Sequence, residues 1–166
     1  MALAHHHRTE RLTLRPLALS DEAAVVAAID DVAVSGWLIP VPHPYTSQDF
    51  HYFLNEVAAA GEEFVIEDAA GFVGLIGLSE DLLGYWLDPR AHGRGYATEA
   101  ARCLVAAHFV SGGGPLASGF FEGNARSARV LSKLGFVETG RDRRHCRALG
   151  VERPHVIMQL TCADFV

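Results

Sequence analysis

Residues 87–100, LDPRAHGRGYATEA, limit the fold of this chain more than any other stretch. An apolar pattern over 82–88 predicts a strand that stops here, and a helical apolar period begins at Gly95. The corner between them holds Arg90, Gly93, Arg94 and Gly95, two cations and two glycines in six residues. Glycines let the backbone turn freely and approach a ligand closely, and the first N–H groups of the helix point into the corner. With the positive end of the helix dipole and two guanidinium groups, they make a site that suits phosphates. A plain glycine turn with solvated arginines would account for the same residues, so the corner alone leaves both readings open.

The other segments set the corner in a sheet. Residues 11–17 (RLTLRPL) alternate Leu12 and Leu14 with polar neighbours, as a strand near an edge does. Ser20 reads as the N-cap of a helix to about residue 30, with Asp21 and Glu22 in its first turn. Three prolines within 40–44 exclude a regular element there. Thr46 and Asp49 form a capping-box pattern for a helix that ends near Ala60, before Gly61. Strands follow at 63–67, 72–78 and 82–88, the first two joined by a tight turn and so antiparallel. The helix over 95–110 carries one apolar stripe of Ala97, Ala100, Ala101, Leu104, Val105 and His108. A strand at 116–121, a helix at 124–134 closed by Gly135, and strands at 136–144 and 155–161 complete the order β-αα-βββ-α-β-α-ββ. That order predicts an α+β fold, a mixed and mostly antiparallel sheet flanked by helices, in one domain over 1–166. Residues 1–9, with His5, His6 and His7, are expected to form a flexible tail.

Charge narrows the function classes. A net charge of -6 argues against a general nucleic-acid binder. Acidic residues outnumber basic ones 14 to three up to Asp88, and basic outnumber acidic 11 to six from Pro89 onward. The asymmetry would suit an anionic ligand on the second half and a cationic one drawn to the first. Residues 103–121 carry no formal charge, but Gly112, Gly113, Gly114 and Pro115 interrupt them, so no membrane span is expected. Cys103, Cys146 and Cys162 lack CxxC spacing, and MALAHHHRTERL has no apolar signal-peptide core; both predict a reducing, cytoplasmic setting. The histidines lack metal-ligand spacing, so no metal is expected.

Neither common phosphate motif fits the corner. Lys133 is the chain's lone lysine, which excludes a P-loop here, and Thr98 stands where a dinucleotide fingerprint begun at Gly93 needs Gly or Ala. The pattern Arg90-x-x-Gly93-x-Gly95 after Leu87-Asp88 instead resembles the acyl-CoA pyrophosphate loop of the GNAT superfamily of N-acyltransferases. A second signature about 30 residues on, EGNARSARVLSKLGF, is similar to the RimJ/RimL-type branch, as is the opening TERLTLRPLALSDEAAV. The resemblance covers almost the whole chain; one departure is Ser132-Lys133, where many relatives carry Glu-Lys.

The resemblance implies the GNAT-like acyl-CoA N-acyltransferase fold, whose central strands, here 82–88 and 116–121, splay to admit pantetheine. It implies that Leu87, Arg90, Ala91, His92, Gly93, Arg94, Gly95, Tyr96, Ala97 and Thr98 hold acetyl-CoA, with N–H groups of a bulged first strand polarising the carbonyl. Asn124 caps the last helix by its own chemistry and reaches the cofactor arm by resemblance. Ser127 is the implied proton donor to the departing thiolate. The general base stays open among Glu67, Glu80, Asp81, Glu122 and His43. The implied activity is direct acetyl transfer to a primary amine, on a peptide or a small polyamine-like molecule, by a monomer or homodimer with neither nucleic acid nor membrane as partner. A non-catalytic acyl-CoA sensor and a nucleotide-phosphate binder are the alternatives.

Overall fold

The computed structural model describes residues 6–166; residues 1–5, which include His5 of the expected tail, lie outside the described residues. The expected tail is structured from His7 onward. β1 (His7–Arg8) pairs antiparallel with β2 (Thr13–Pro16). Thr9 and Arg11 fasten this hairpin to the long central helix: the Thr9 hydroxyl, the Arg11 N–H and the Arg11 guanidinium all donate to Glu99 at 2.5–2.9 Å.

The first helix starts differently from the capping reading. Ser20 lies inside a 3-10 turn (Leu19–Asp21) that precedes α1 (Glu22–Ile29). Asp21 does the capping work, since its carboxylate accepts the Ala18 N–H at 2.9 Å while Arg15 grips both its oxygens at 2.9 and 2.7 Å. Asp21 is buried, and the same Arg15 reaches Glu67 at 2.7 Å, so one guanidinium ties helix to sheet. After the short α2 (Val32–Ser35) and an irregular loop, α3 (Ser47–Tyr52) opens on the expected Thr46–Asp49 box. It then widens into a π turn (Phe53–Val57) and tightens into a 3-10 turn (Ala58–Ala60) before Gly61.

The remaining elements are β3 (Glu63–Asp68), β4 (Gly71–Ser79), β5 (Leu82–Leu87), α4 (Tyr96–Val110), β6 (Leu116–Phe121), α5 (Ala125–Leu134), β7 (Val137–Cys146) and β8 (Val151–Leu160). The strands form one eight-stranded sheet in the order β1-β2-β3-β4-β5-β6-β8-β7. All neighbours are antiparallel except β5 and β6, which are parallel and share the single pair Leu82↔Ala117. The fold is the expected mixed α+β arrangement.

Side-chain alternation gives the sheet two apolar faces. Phe64, Ile66, Ile76 and Leu83 pack under α4 and α5 with Leu104 and Leu131. Val65 and Leu75 face the other way, onto Val25, Ile29 and Phe50 of α1 and α3. Gly135, at φ 96°, ends α5, and Phe136 N–H returns to the Leu131 carbonyl at 3.1 Å.

Two details depart from expectation. The bulge lies between β3 and β4, where Ile66↔Gly74 is followed by Glu67↔Phe72, while β4 and β5 pair in unbroken register. The strand before the corner is therefore regular, and its edge is freed by divergence from β6. The last strand begins at Val151 because Pro154 is accommodated: its carbonyl accepts the Glu122 N–H at 2.9 Å, on the side where β6 has just ended and no ladder donor is needed. Among the described residues no helix is long and apolar enough to cross a membrane.

Candidate functional site

β5 and β6 meet at one point and then part. At the vertex Ala117 N–H donates to the Asp81 carbonyl at 2.8 Å, and the Ser118 hydroxyl to the Leu83 carbonyl at 2.9 Å. Beyond it the two strands stand unpaired toward each other, and the gap opens into a cavity of about 1160 Å³. One end of the cavity reaches the glycine corner, and the other reaches the proline loop and α3.

The corner is built as a backbone cradle. Asp88 accepts the Arg90 N–H at 2.9 Å and starts a 3-10 turn (Pro89–Ala91). Gly93 and Gly95 take φ 76° and 78°, and the first intrahelical bond of α4 runs from Glu99 N–H to the Gly95 carbonyl. The N–H groups of the turn before it thus have no intrahelical acceptor and sit at the positive end of the helix. A Cβ on Gly93 would meet no protein atom within 4 Å, so the space in front of it is open. Leu87, Ala91, His92, Gly93 and the residues from Gly95 to Thr98 line the cavity. Arg90 and Arg94 do not: Arg90 bonds to the Phe72 carbonyl and Asp88, and Arg94 leans toward Asp68 at 3.9 Å. Charges are legible in a sequence, but their side-chain direction is not. An open backbone cradle, a free strand edge and a long gap suit a narrow ligand with phosphates at one end.

Ser127 and Asn124 line the same cavity. The Asn124 side chain accepts the Ser127 backbone N–H at 3.2 Å, the cap its sequence position predicts. The Ser127 hydroxyl is left to face Tyr85, whose phenol oxygen lies 2.9 Å away. Burial pushes the Tyr85 hydroxyl up to about 12, against the smaller opposing effect of the Ser127 bond. Tyr85 was absent from the sequence reading. Its signal was the period of two on β5, which puts it with Leu83 and Leu87 on the α5 side.

The five candidates for a general base all lie outside this cavity. Glu67 is held by Arg15, Glu122 by Arg141 at 3.1 Å, and His43 stands against Asp30 at 3.2 Å. Glu80 and Asp81 occupy the β4–β5 turn at φ 51° and 60°. Asp49, Glu63, His92 and His155 line the cavity instead. Glu63 has a carboxyl that burial, with Glu62 beside it, pushes up to about 7. His155, buried, hydrogen-bonds to Asp142 at 2.9 Å through Nδ1.

The acidic first half does not supply the cavity's charge. Of its acids only Asp49 and Glu63 line it, whereas Arg126, Arg129 and Lys133 of α5 and Arg144 and Arg147 of the last hairpin do. The basic second half thus does charge the cavity while most acids of the first half stay outside it, and the loop side is mainly apolar, with Trp37, Leu38, Phe53 and Trp86. Cys103 is no nucleophile in waiting: burial, with Glu99 nearby, raises its thiol pKa. Among the described residues no three His, Cys, Asp or Glu side chains are grouped to hold a metal ion.

Comparison with solved structures gives the same architecture. A GNAT-family acetyltransferase from Bacillus anthracis superposes with a TM-score of 0.81 at 21% identity, over 94% of this chain and 98% of that one. Mycobacterium smegmatis RimJ, solved with CoA-disulfide, gives 0.75 at 24% identity over 92% and 82%. Spermidine N-acetyltransferase from Vibrio cholerae, solved with CoA and spermine, gives 0.74 at 18% identity over 94% and 98%. The sequence matches no protein of curated function. Residues 11–137 match the family described as the acetyltransferase (GNAT) domain, and that span takes in the corner, the splayed strands and α5. The chain belongs to the GNAT acetyltransferase family.

Proposed function

We propose that this protein transfers an acetyl group from acetyl-CoA to a primary amine by direct attack. The carrying observation is the gap between β5 and β6, which runs from the α4 N-terminus at Gly95 to the Tyr85–Ser127 pair. The pyrophosphate would rest on backbone N–H groups of the corner, and the pantetheine arm would lie along the free edge of β5. Asn124 would face that arm while capping α5. The free β5 edge would polarise the thioester carbonyl, holding it in line for the amine.

When the carbon–sulfur bond breaks, the thiolate takes a proton from Ser127. Tyr85 stays protonated at neutral pH and so is able to donate to the Ser127 oxygen, an arrangement that would leave the serine proton free for sulfur. That working pair also weighs against the non-catalytic sensor. The apolar, arginine-flanked loop side favours an amine with an apolar body, such as a peptide N-terminus, over a polycation. A RimJ/RimL-type role would suit such an acceptor. Three free cysteines accord with work in the cytoplasm.

Titration calorimetry with acetyl-CoA, CoA and ATP tests the cofactor, and thiol release over peptide and small amines tests the transfer. Tighter binding of ATP than of acetyl-CoA would refute the proposal, and so would binding of acetyl-CoA with no thiol release for any amine.

A further inference from the structure

Three glycines line up on the face of the sheet that looks toward α1–α3. Gly77 pairs with Gly84, and Gly84 and Gly119 each stand two residues beyond the Leu82↔Ala117 pair, on opposite sides of the gap. Side chains two apart share a face, so these positions form one row across the opening, and Gly84 and Gly119 of the row line the cavity. A Cβ on Gly84 would meet nothing within 4 Å. Cβ atoms on the outer two would collide with titratable groups: on Gly77 with the Glu63 carboxyl at 2.1 Å, and on Gly119 with His155 Cε1 and Nε2 at 2.5 Å. Gly84 is thus the open position of the row, between the half-buried Glu63 carboxyl and the buried His155 imidazole. Tyr85 and Ser127 lie on the opposite face, and the gap connects the two sides.

The imidazole is oriented for one task. Its Nδ1 hydrogen-bonds to Asp142 at 2.9 Å, and Arg144 holds that carboxylate at 2.7 Å. Burial alone would raise the Asp142 pKa, but the bonds from Arg144 and His155 outweigh it and keep it low. An ionised Asp142 accepts Nδ1–H, which leaves the lone pair of neutral His155 on Nε2. Among the described residues Nε2 has no hydrogen-bond partner, and the residue lines the cavity at 8% exposure. The other charged group near the ring is Arg153 on β8, stacked on Phe121 and Trp37; Phe121 and Gly119 of β6 bring none.

We infer that the acceptor amine binds over Gly84, between Glu63 and His155, and that His155, positioned by Asp142, is the base that deprotonates it. The inference rests on the acetyl-transfer reading above. The ammonium passes one proton to His155 Nε2, and the free amine attacks the thioester carbon. As the carbon–sulfur bond breaks, the nitrogen, now bearing two protons, releases one to solvent and keeps the other; Ser127 gives its proton to the thiolate and regains one from solvent by way of Tyr85, leaving amide and CoA thiol. His155 then returns its proton to solvent. Glu63 flanks the incoming amine on the other side of Gly84.

The test uses the full chain, with peptides bearing free α-amines, spermidine, and ethylamine with its mono-, di- and trifluoro analogues, whose ammonium groups are progressively more acidic. H155Q is expected to lose about 10²-fold or more in kcat/KM on the basic amines and little on trifluoroethylamine, which needs no base. Its acetyl-CoA affinity should match wild type, which also certifies the fold. D142N, which disturbs the tautomer without removing the ring, should give a smaller loss and shift the pH profile of kcat/KM. G119A should mimic H155Q by displacing the imidazole. Equal losses for H155Q across the fluorinated series would overturn the assignment, and so would a basicity dependence that disappears in E63Q but not in H155Q. Wild-type protein that binds acetyl-CoA yet releases thiol with no amine would refute the transfer reading itself.

Discussion

Ser127→Ala separates a catalytic serine from a structural one more cleanly than its helix position suggests. The cap of α5 is made by the Asn124 side chain to the Ser127 backbone N–H, and alanine keeps that N–H. What the substitution removes is the partner of the Tyr85 hydroxyl, 2.9 Å away in a largely enclosed position. Leaving that hydroxyl without its partner costs about 1–3 kcal/mol where water cannot replace it. In a chain of this size that corresponds to a fall in Tm of roughly 2–4 °C per kcal/mol. Loss of proton delivery to the thiolate should lower kcat by about 10²-fold, near 2.7 kcal/mol of barrier. Acetyl-CoA affinity should stay at the wild-type value, because the serine proton matters only as charge develops on sulfur. Tyr85→Phe should retain part of the activity, since the serine remains but loses its orienting donor. Thermal melts, calorimetry and initial rates on the same preparations decide the matter. A Ser127→Ala protein with a lowered Tm and normal kcat would refute the argument and leave the pair a packing contact.

Further outcomes follow from the corner and from the Arg15 cluster. Gly93→Val forces a β-branched residue to φ 76°, at a cost of about 1–3 kcal/mol, and should weaken acetyl-CoA binding measured by calorimetry, since its Cβ enters the space open to the ligand. Arg90→Ala should change that affinity little, because the guanidinium is spent on Phe72 and Asp88. Asp21 has its pKa lowered: burial raises it, but the bonds from Arg15 and the Ala18 N–H prevail. A depressed folded value means the stabilisation is present above the unfolded pKa of about 3.9 and is lost as pH falls through the folded one. Asp21→Asn should therefore cost about 3 kcal/mol at neutral pH and flatten the acid limb of stability against pH, read from denaturant melts.

Much of the architecture was legible because local rules fixed it. The Thr46–Asp49 box, the turn at 68–71 and the glycines at 95 and 135 each determine their own few residues, whatever surrounds them. Ser20 misled because a 3-10 turn moved the start of α1, and the last strand begins at Val151, before the expected 155, because Pro154 falls where another strand ends. The geometry of the glycine corner was readable for the same local reason, since a strand, a corner and a helix N-terminus are contiguous in sequence. The acceptor side was not. Asp142 meets His155 through the register of a hairpin, and Tyr85 meets Ser127 across 42 residues, so neither pairing has a spacing to recognise. The direction of the corner's arginines was not readable either, because Phe72, Asp88 and Asp68, which draw them away from the cavity, are set by the fold.

The lone Leu82↔Ala117 pair makes the sheet two ladders that touch at one rung, β1 through β5 on one side and β6 through β8 on the other. Backbone hydrogen bonding cannot carry cooperativity through that rung; α4 and α5, packed across the back, have to supply it. A ligand laid along the gap would complete the missing rungs and count as part of the folded state. By mass action it would stabilise the protein by RT ln(1 + [L]/Kd), about 2.7 kcal/mol at a hundredfold excess over Kd. Amide exchange in β5 and β6 should slow together on adding acetyl-CoA, with β1 to β3 little changed; uniform slowing would mean that the helices already couple the halves. Where cellular acetyl-CoA runs low, more of this chain would stand half-open to proteases, and its abundance would follow the supply of its own donor.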